Sequence, residues 1–248
     1  MYIMPGLKYM LVDGTGRDMT AQCGFILDMD GTIVDNMDYH VKAWLELFKE
    51  LNITMTAAEF NRRLTGRTNQ QILRMALGGD PSEQEIRELA DRKEERYREI
   101  YRPHRVPVAG LTDFLQAAAE ADFPLAVATS APEVNIEYIL DGLEIRGYFR
   151  AVVGAEDVRN GKPHPEMFLT AAGRLNVAPA DCLVFEDSLA GVEAAERAGM
   201  QVGALTTTHQ KEEFQGCPAV LFTTPDFTAC TPADLSERLR RHRNEIVE

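Results

Sequence analysis

Short apolar runs alternate with segments of helical periodicity along most of this chain. The apolar runs lie at 23–27, 124–130, 151–156, 182–188, 201–205 and 219–222. Apolar residues at helical spacing fill the segments 111–121, 132–141, 165–175, 189–198 and 232–246. Strands that alternate with helices in this way form βαβ units. The pattern therefore predicts an α/β fold with a mostly parallel sheet that helices cover on both faces.

A helical block separates the first apolar run from the second. It begins with apolar residues at helical spacing, namely Val41, Trp44, Leu45 and Phe48. The segments "TAAE", "TNQQ" and "SEQE" then carry the capping-box pattern, which predicts further helices starting near residues 56, 68 and 82. The last of these helices is densely charged. We expect it to have a solvated face with i,i+4 pairs such as Glu88–Arg92 and Glu94–Arg98.

These patterns divide the chain into three predicted parts. Residues 22–37 and 105–248 form the α/β core, residues 38–104 form a small all-helical cap, and residues 1–21 form an N-terminal extension. The extension contains "VDGTG", a segment typical of a turn. Its Asp-Gly-Thr repeats the tripeptide at Asp30, but Leu11 stands where the second copy has Asp28. Only the second copy therefore offers two carboxylates.

Composition and charge narrow the classes of function. The formal net charge of −13 would repel a polyanion, so we expect no nucleic acid as partner. No apolar run reaches about 18 residues, so we expect no membrane span, and the N-terminus lacks the pattern of a secretory signal. The cysteines form no CxxC pair, which favours the reducing cytoplasm, with Cys23 and Cys182 as buried hydrophobic residues. No feature indicates an obligate protein partner.

Polar side chains follow several of the predicted strands where each strand ends. These are Asp28 and Asp30 after the first run, Thr129 and Ser130 after the second, Glu186 and Asp187 after the fourth, and Lys162 in the loop "GKPHPE". Ligands of an open parallel sheet gather at the carboxyl ends of its strands. Crowded carboxylates need a cation, and an all-oxygen ligand set favours Mg²⁺. The carboxylates with such a cation, the lysine and the hydroxyl groups together form a set of residues suited to bind the phosphoryl group of a small anionic substrate.

The same residues resemble the four motifs of the haloacid dehalogenase-like hydrolase superfamily, in order. They are "DMDGT", Thr129, Lys162 in "GKPHPE" and "FEDSLAGVEAA", and the resemblance covers about residues 23–230. The segment "DGTIVDNMDYHVKAW" is similar to the β-phosphoglucomutase-like phosphatase branch, which has a helical cap after the first motif. The resemblance implies a Rossmann-like, three-layer α/β core with a mostly parallel sheet and that cap.

The resemblance also implies a role for each motif residue. Asp28 would be the nucleophile and a Mg²⁺ ligand, and Asp30 the general acid and base, with its backbone carbonyl on the metal. Thr129 and Lys162 would hold the phosphoryl oxygens. Glu186 and Asp187 would complete the metal site.

Residues of the cap and of the second motif are expected to bind the substrate. These candidates are His40, Trp44, Arg67, Asn69 and Ser130. Packing between cap and core is the alternative role for Trp44, and bracing of the cap hinge is the alternative for Arg67. Two positions depart from the mutase pattern: Thr65 replaces a lysine and Asn69 an arginine. A third departure, Asn36, replaces a threonine.

Because these positions lack the residues of the mutase pattern that would bind a second phosphate, the leading hypothesis is a Mg²⁺-dependent phosphatase. It would hydrolyse a small phosphorylated metabolite, such as a sugar phosphate, through an aspartyl-phosphate intermediate. A β-phosphoglucomutase-type phosphosugar mutase is the first alternative. An inorganic pyrophosphatase and a non-catalytic protein that binds phosphometabolites stay open as well. A dehalogenase is a weaker hypothesis, since that chemistry does not call for Asp30 or for the Glu186–Asp187 pair.

Overall fold

A computed structural model describes residues 23–64 and 67–247 of the chain. The predicted N-terminal extension, the turn at the first Asp-Gly-Thr, and Thr65 with Gly66 lie outside the described residues. No described helix has an apolar stretch of the length that crossing a bilayer requires. The cytoplasmic location stays a prediction.

The core contains a six-stranded sheet in which every neighbouring pair is parallel. Its strands are β1 (Gly24–Leu27), β2 (Leu125–Ala128), β3 (Ala151–Val153), β4 (Cys182–Glu186), β5 (Gln201–Leu205) and β6 (Val220–Thr224). The strand order is β3-β2-β1-β4-β5-β6. The order reverses between β1 and β4, so a crevice is expected at the carboxyl ends of these two strands.

Helices cover both faces of the sheet, as the alternation predicted. They are α5 (Leu111–Glu120), α6 (Glu133–Leu140), α7 (Glu166–Leu175), α8 (Leu189–Arg197) and α9 (Pro232–Val247). Side chains of β1 alternate between the faces: Phe25 packs in the cluster that holds Phe114 of α5, whereas Ile26 packs in the cluster that holds Phe168 of α7. The α/β, three-layer prediction is confirmed. So is the burial of Cys23 and Cys182.

The cap consists of helices only, among the residues described between β1 and β2. They are α1 (Met37–Glu50), α2 (Ala57–Leu64), α3 (Asn69–Leu77) and α4 (Glu83–Tyr101). These helices share an apolar cluster built around Trp44, Phe48 and Phe60. Tyr97 and Tyr101, near the end of α4, instead pack with the apolar residues of the core. The division at residues 38–104 stays a prediction.

The capping boxes at Thr56 and Thr68 are confirmed, that at Ser82 is formed in only one direction, and the prediction for the surface of α4 is wrong in part. Thr68 accepts a hydrogen bond from the backbone of Gln71, and Ser82 accepts one from Glu85. Arg92, however, pairs with Glu50 of α1 rather than within its own helix. Glu94 is buried, as is Lys93 beside it. The sequence did not distinguish these two residues from the rest of the helix, because their neighbours, which face solvent, are charged as well.

Candidate active site

The loop after β1 forms a tight turn that presents two carboxylates. Asp28 extends the strand by donating its backbone N–H to Phe185 O, at 3.0 Å. Gly31 adopts a φ of +81°, and a Cβ at this position would lie 2.1 Å from Oδ2 of Asp187. Only glycine fits both the left-handed backbone and this close approach. The sequence "DMDGT" therefore folds so that Asp28, Asp30 and Asp187 can share one edge of the sheet.

Lys162 links the first carboxylate to the end of β4. Its Nζ donates to Oδ1 of Asp28 and to Oε1 of Glu186, both at 2.7 Å. Burial alone would lower the pKa of Lys162, but the charges of Asp28 and Glu186 raise it above its ordinary value. The lysine therefore stays charged and neutralises part of the acidic cluster.

Three consecutive residues at the end of β4 and after it have different contacts. The second oxygen of Glu186 accepts the backbone N–H groups of Asp187 and Ser188, at 2.6 Å each. Ser188 caps α8 by accepting from the backbone of Gly191. Asp187 is left to face the site, where its Oδ1 accepts from the Thr32 hydroxyl at 3.1 Å. Helix capping thus belongs to Ser188, and Asp187 is available for chemistry.

Three carboxylates offer a set of oxygen ligands for a metal. One carboxylate oxygen from each of Asp28, Glu186 and Asp187 lies within 4.8 Å of the other two. Burial raises the pKa of Asp28 to about 7, with Lys162 opposing the shift and Glu186 adding to it. Burial and the charges of Glu186 and Asp28 raise the pKa of Asp187 well above its ordinary value. One lysine does not balance this cluster, so a hard divalent cation such as Mg²⁺ fits it.

Asp30 points away from that cluster, toward the start of the cap. Its Oδ1 accepts from the Asn36 side chain at 2.6 Å and lies 3.6 Å from Nε2 of His40. Burial alone would raise the pKa of Asp30, but His40 and Asn36 hold it below its ordinary value. Asp28 and Asp30 therefore have opposite tendencies to bind a proton, although they lie only two residues apart.

Asn36 is a site residue whose role the sequence did not predict. It is fully buried at the start of α1, yet its side chain makes no capping hydrogen bond. The amide nitrogen donates to Asp30 and to the Tyr97 hydroxyl, and the amide oxygen accepts from the Gly31 backbone at 3.2 Å. An asparagine before a helix is ordinarily a cap, so no pattern in the sequence indicated this contact.

Thr129 and Ser130 follow β2, which lies beside β1 in the sheet. Thr129 is buried, and its hydroxyl oxygen accepts the backbone N–H of Ala131 at 3.1 Å. The hydroxyl hydrogen is then available to a ligand. Ser130 is exposed. The strand order thus places both at the same edge as Asp28, as predicted from the pattern, while their binding roles stay predictions.

The predicted cap residues lie in different surroundings. His40 stacks on Tyr97 at 3.7 Å between ring centroids. Trp44 is buried among Phe48 and Phe60 in the apolar cluster of the cap, which agrees with a packing role, although within the cap rather than between cap and core. Arg67 is exposed, and its Nε donates to the backbone oxygen of Arg63. Of these residues, His40 alone is shown beside Asp30.

Asn69 is half-buried and contacts a group of buried polar residues that the sequence did not reveal. Its amide donates to Glu94 at 2.7 Å. Lys93 pairs with Glu94 at 2.9 Å and lies 2.7 Å from Nδ1 of His40. Asn135 of α6 donates to the other oxygen of Glu94. Lys93 and Glu94 lie on the same side of α4 as its apolar residues, which recur at helical spacing. This spacing could have indicated that both residues are buried, but most other residues of the helix are charged.

Comparisons with known proteins agree with this geometry. A family model described as haloacid dehalogenase-like hydrolase matches residues 25–205. The chain is 34 % identical to the fructose-1-phosphate phosphatase YqaB of Escherichia coli, covering 71 % of this chain and 93 % of that protein. It is 32 % identical to the β-phosphoglucomutase of Bacillus subtilis, covering 82 % and 90 %.

A third relative is considerably longer than the matched region. The chain is 30 % identical to the chloroplastic 5-amino-6-(5-phospho-D-ribitylamino)uracil phosphatase of Arabidopsis thaliana, covering 75 % of this chain but only 50 % of that protein. The chain thus spans half the length of this relative.

Solved structures share the fold. A hydrolase from Entamoeba histolytica superposes with a TM-score of 0.81 at 23 % identity, covering 88 % of this chain and 99 % of that chain. A variant of CbbY from Rhodobacter sphaeroides, in complex with xylulose-1,5-bisphosphate, gives 0.70 at 25 % identity, covering 80 % and 93 %.

Proposed function

The chain belongs to the haloacid dehalogenase-like hydrolase family, and from this premise we propose that it is a phosphatase that hydrolyses a small phosphorylated metabolite, with a sugar phosphate as the first candidate. One observation carries the proposal. The Asp28 carboxylate is held by Lys162 beside Glu186 and Asp187, and a second carboxylate, Asp30, stands two residues further on. This set can attack phosphorus, stabilise the transferred group and move a proton.

Asp28 would act first, as the nucleophile. One of its oxygens forms a bond to phosphorus while the ester P–O bond breaks, and the electron pair of that bond leaves with the ester oxygen. Asp30 gives its proton to this leaving oxygen. The products of the first step are the alcohol and an aspartyl phosphate on Asp28.

Asp30 would then act as a base. It takes a proton from water as the water oxygen attacks phosphorus, and the bond between phosphorus and Asp28 breaks. The proton gained here is the one that Asp30 gives to the next leaving group, so protons balance over the cycle. The lowered pKa of Asp30 beside His40 and Asn36 favours the unprotonated form that this second step needs.

Positive charge supports both steps. Lys162 would hold Asp28 and a phosphoryl oxygen, and the Thr129 hydroxyl would donate to another. We propose Mg²⁺ as the cofactor, with Asp28 and Asp187 as its side-chain ligands, Glu186 beside them and the backbone carbonyl of Asp30 as a further ligand. When bound, Mg²⁺ supplies positive charge against the phosphoryl oxygens.

A panel of phosphate esters tests this proposal. We expect release of inorganic phosphate from at least one sugar phosphate with Mg²⁺ present, and loss of release with chelator. Inorganic pyrophosphate belongs in the panel because a small capped site suits a small substrate. The Asp28→Asn variant should lower turnover to background. A correctly folded protein that releases phosphate from no ester, or an unchanged rate in Asp28→Asn, contradicts the assignment.

A phosphosugar mutase is the second candidate. The 32 % identity to a β-phosphoglucomutase favours it, as do His40 and Trp44, which lie in the segment that resembles the β-phosphoglucomutase-like branch. A coupled assay would follow glucose 6-phosphate formed from β-glucose 1-phosphate. Turnover stimulated by a hexose bisphosphate supports the mutase, whereas release of phosphate without isomerisation supports the phosphatase.

A further inference from the structure

A buried polar group lies between cap and core, one side chain away from Asp30. We call it the cap charge cluster and define it as His40, Asn69, Lys93, Glu94 and Asn135. Lys93 is 2 % exposed, Glu94 7 % and Asn135 1 %. The contacts run from the core to the cap: Asn135 donates to Glu94 at 2.8 Å, Glu94 pairs with Lys93, and Lys93 lies beside His40.

Glu94 carries the negative charge of this cluster. Burial alone would raise the pKa of Glu94, but Lys93, His40 and Asn69 lower it to about 2. Each of its oxygens accepts at least one hydrogen bond, from Lys93 and Asn69 on one side and from Asn135 on the other. A carboxylate held in this way stays ionised at every pH at which the protein would work.

This carboxylate cancels the positive charge that the cap could present to a ligand. Lys93 is the only fully buried lysine or arginine among the described residues of the cap, and its ammonium group is already occupied by Glu94 and His40. The half-buried Arg98 is bound to Asn135. The Asn69 amide is also bound to Glu94. Arg67 is exposed, where water screens its charge.

A second phosphate group on the substrate would therefore bind unfavourably near the cap charge cluster. Burying a dianion requires a positive charge or several free donors beside it. The part of the site nearest the cap charge cluster offers a neutral ion pair and lies close to the negative charge of Asp30. Hydroxyl groups of a sugar or polyol, in contrast, can donate to carboxylate oxygens and accept from ammonium and amide groups.

We propose that Glu94 is a specificity-determining residue, which restricts the site to phosphate monoesters whose remaining part bears hydroxyl groups and no second phosphate. This inference rests on the proposed phosphatase function. A structurally similar protein, a variant of CbbY, is in complex with a bisphosphate, so such a preference would set the chain apart from it.

The test compares two substrates that differ only by a second phosphate, fructose 1-phosphate and fructose 1,6-bisphosphate. In the native protein we expect a clearly lower KM for the monophosphate. Glu94→Gln removes the charge but keeps the shape, so the ratio of kcat/KM for bisphosphate over monophosphate should rise by about tenfold, mainly through KM, as expected for one charge at about 10 Å in a partly buried site. Equal ratios in the native protein and in Glu94→Gln overturn the proposal.

Two controls separate charge from structure. Glu95→Gln makes the same charge change at the next residue, which is exposed, and should leave the ratio unchanged. Asn135→Ala removes a hydrogen bond to Glu94 without removing its charge, so it should also leave the ratio unchanged. If Asn135→Ala raises the ratio as much as Glu94→Gln does, packing rather than charge sets the preference and the proposal is wrong.

Binding measured by calorimetry on Asp28→Asn, which should not turn the esters over, keeps the proposal testable should Glu94→Gln fail to fold. The monophosphate should bind more tightly than the bisphosphate with Mg²⁺ present. Tighter binding of the bisphosphate overturns the role of Glu94 even where monophosphates are hydrolysed. Absence of turnover by the native protein with every ester contradicts the phosphatase function instead, so the two failures can be told apart.

Discussion

At the scale of single residues, the contrast between Asp28 and Asp30 is the central property of the site. Asp28 is buried beside other carboxylates, which raises its pKa to about 7. Asp30 contacts Asn36 and lies near His40, and its pKa is lowered. In the proposed mechanism Asp28 must be unprotonated to attack phosphorus and Asp30 must be unprotonated to act as a base, so both residues depend on groups that favour the carboxylate. Lys162 and a metal would serve Asp28, and Asn36 serves Asp30.

Replacement of Asn36 tests this division. Asn36→Ala removes the donor at 2.6 Å from Asp30, so the pKa of Asp30 should rise. In the proposed mechanism kcat/KM reports the step in which Asp30 acts as an acid, so the decline of kcat/KM toward high pH should move to higher pH. The exposed Asn61→Ala is the control and should leave the profile unchanged. An unshifted profile in Asn36→Ala would show that Asn36 does not position or tune Asp30.

At the scale of elements, the strand–loop–helix units were predictable because each carries its own local signal. The apolar runs predicted the strands, and helical spacing predicted the helices. The polar residues that follow the strands predicted the edge of the sheet at which their side chains meet. Side-chain direction was not predictable in the same way. Asn36 has the sequence of a helix cap but binds Asp30, and Glu94 has the sequence of a solvated helix but is buried.

Substitution of two glycines tests how closely α8 approaches the end of β4. A Cβ on Gly191 of α8 would lie 1.6 Å from Oε1 of Glu186, whereas a Cβ on Gly173 of α7 would meet nothing within 4 Å. Gly191→Ala should therefore displace Glu186, weaken its contact with Lys162, and lower both turnover and the free energy of unfolding. Gly173→Ala should raise the free energy of unfolding by about 1 kcal/mol, because alanine favours a helix over glycine.

Urea unfolding followed by circular dichroism, with turnover measured in parallel, gives both quantities. The opposite signs of the two changes are the essential result. Equal effects of Gly191→Ala and Gly173→Ala would mean that the close approach at Glu186 does not constrain this element.

At the scale of the whole molecule, the site depends on residues that lie far apart in the chain. Asp28, Lys162 and Asp187 come from three separate loops, yet parallel strands bring them to one edge of the sheet. The sequence predicted this convergence because topology alone determines it. The cap charge cluster was not predictable, since it depends on how α3, α4 and α6 meet, and no local pattern encodes such a meeting.

Convergence of the acidic groups also links folding stability to pH. The pKa of Asp28 and that of Asp187 are raised in the folded state, so the folded protein holds their protons more tightly than the unfolded chain does. This contribution to stability is fully present below the ordinary carboxyl pKa, near 3.8, and is lost as pH rises through the raised values, near 7 for Asp28.

Magnesium should restore the stability that the site loses at higher pH, because a cation binds the unprotonated carboxylates of the folded protein. At a concentration about 100 times its Kd it adds about 2.7 kcal/mol, which corresponds to a rise in Tm of about 5 °C or more for a chain of this size. The rise should be larger at pH 8 than at pH 5, measured by differential scanning calorimetry. Asp187→Asn should abolish most of it, whereas the exposed Asp113→Asn should not. An equal rise in native protein and Asp187→Asn would place the cation elsewhere in the molecule.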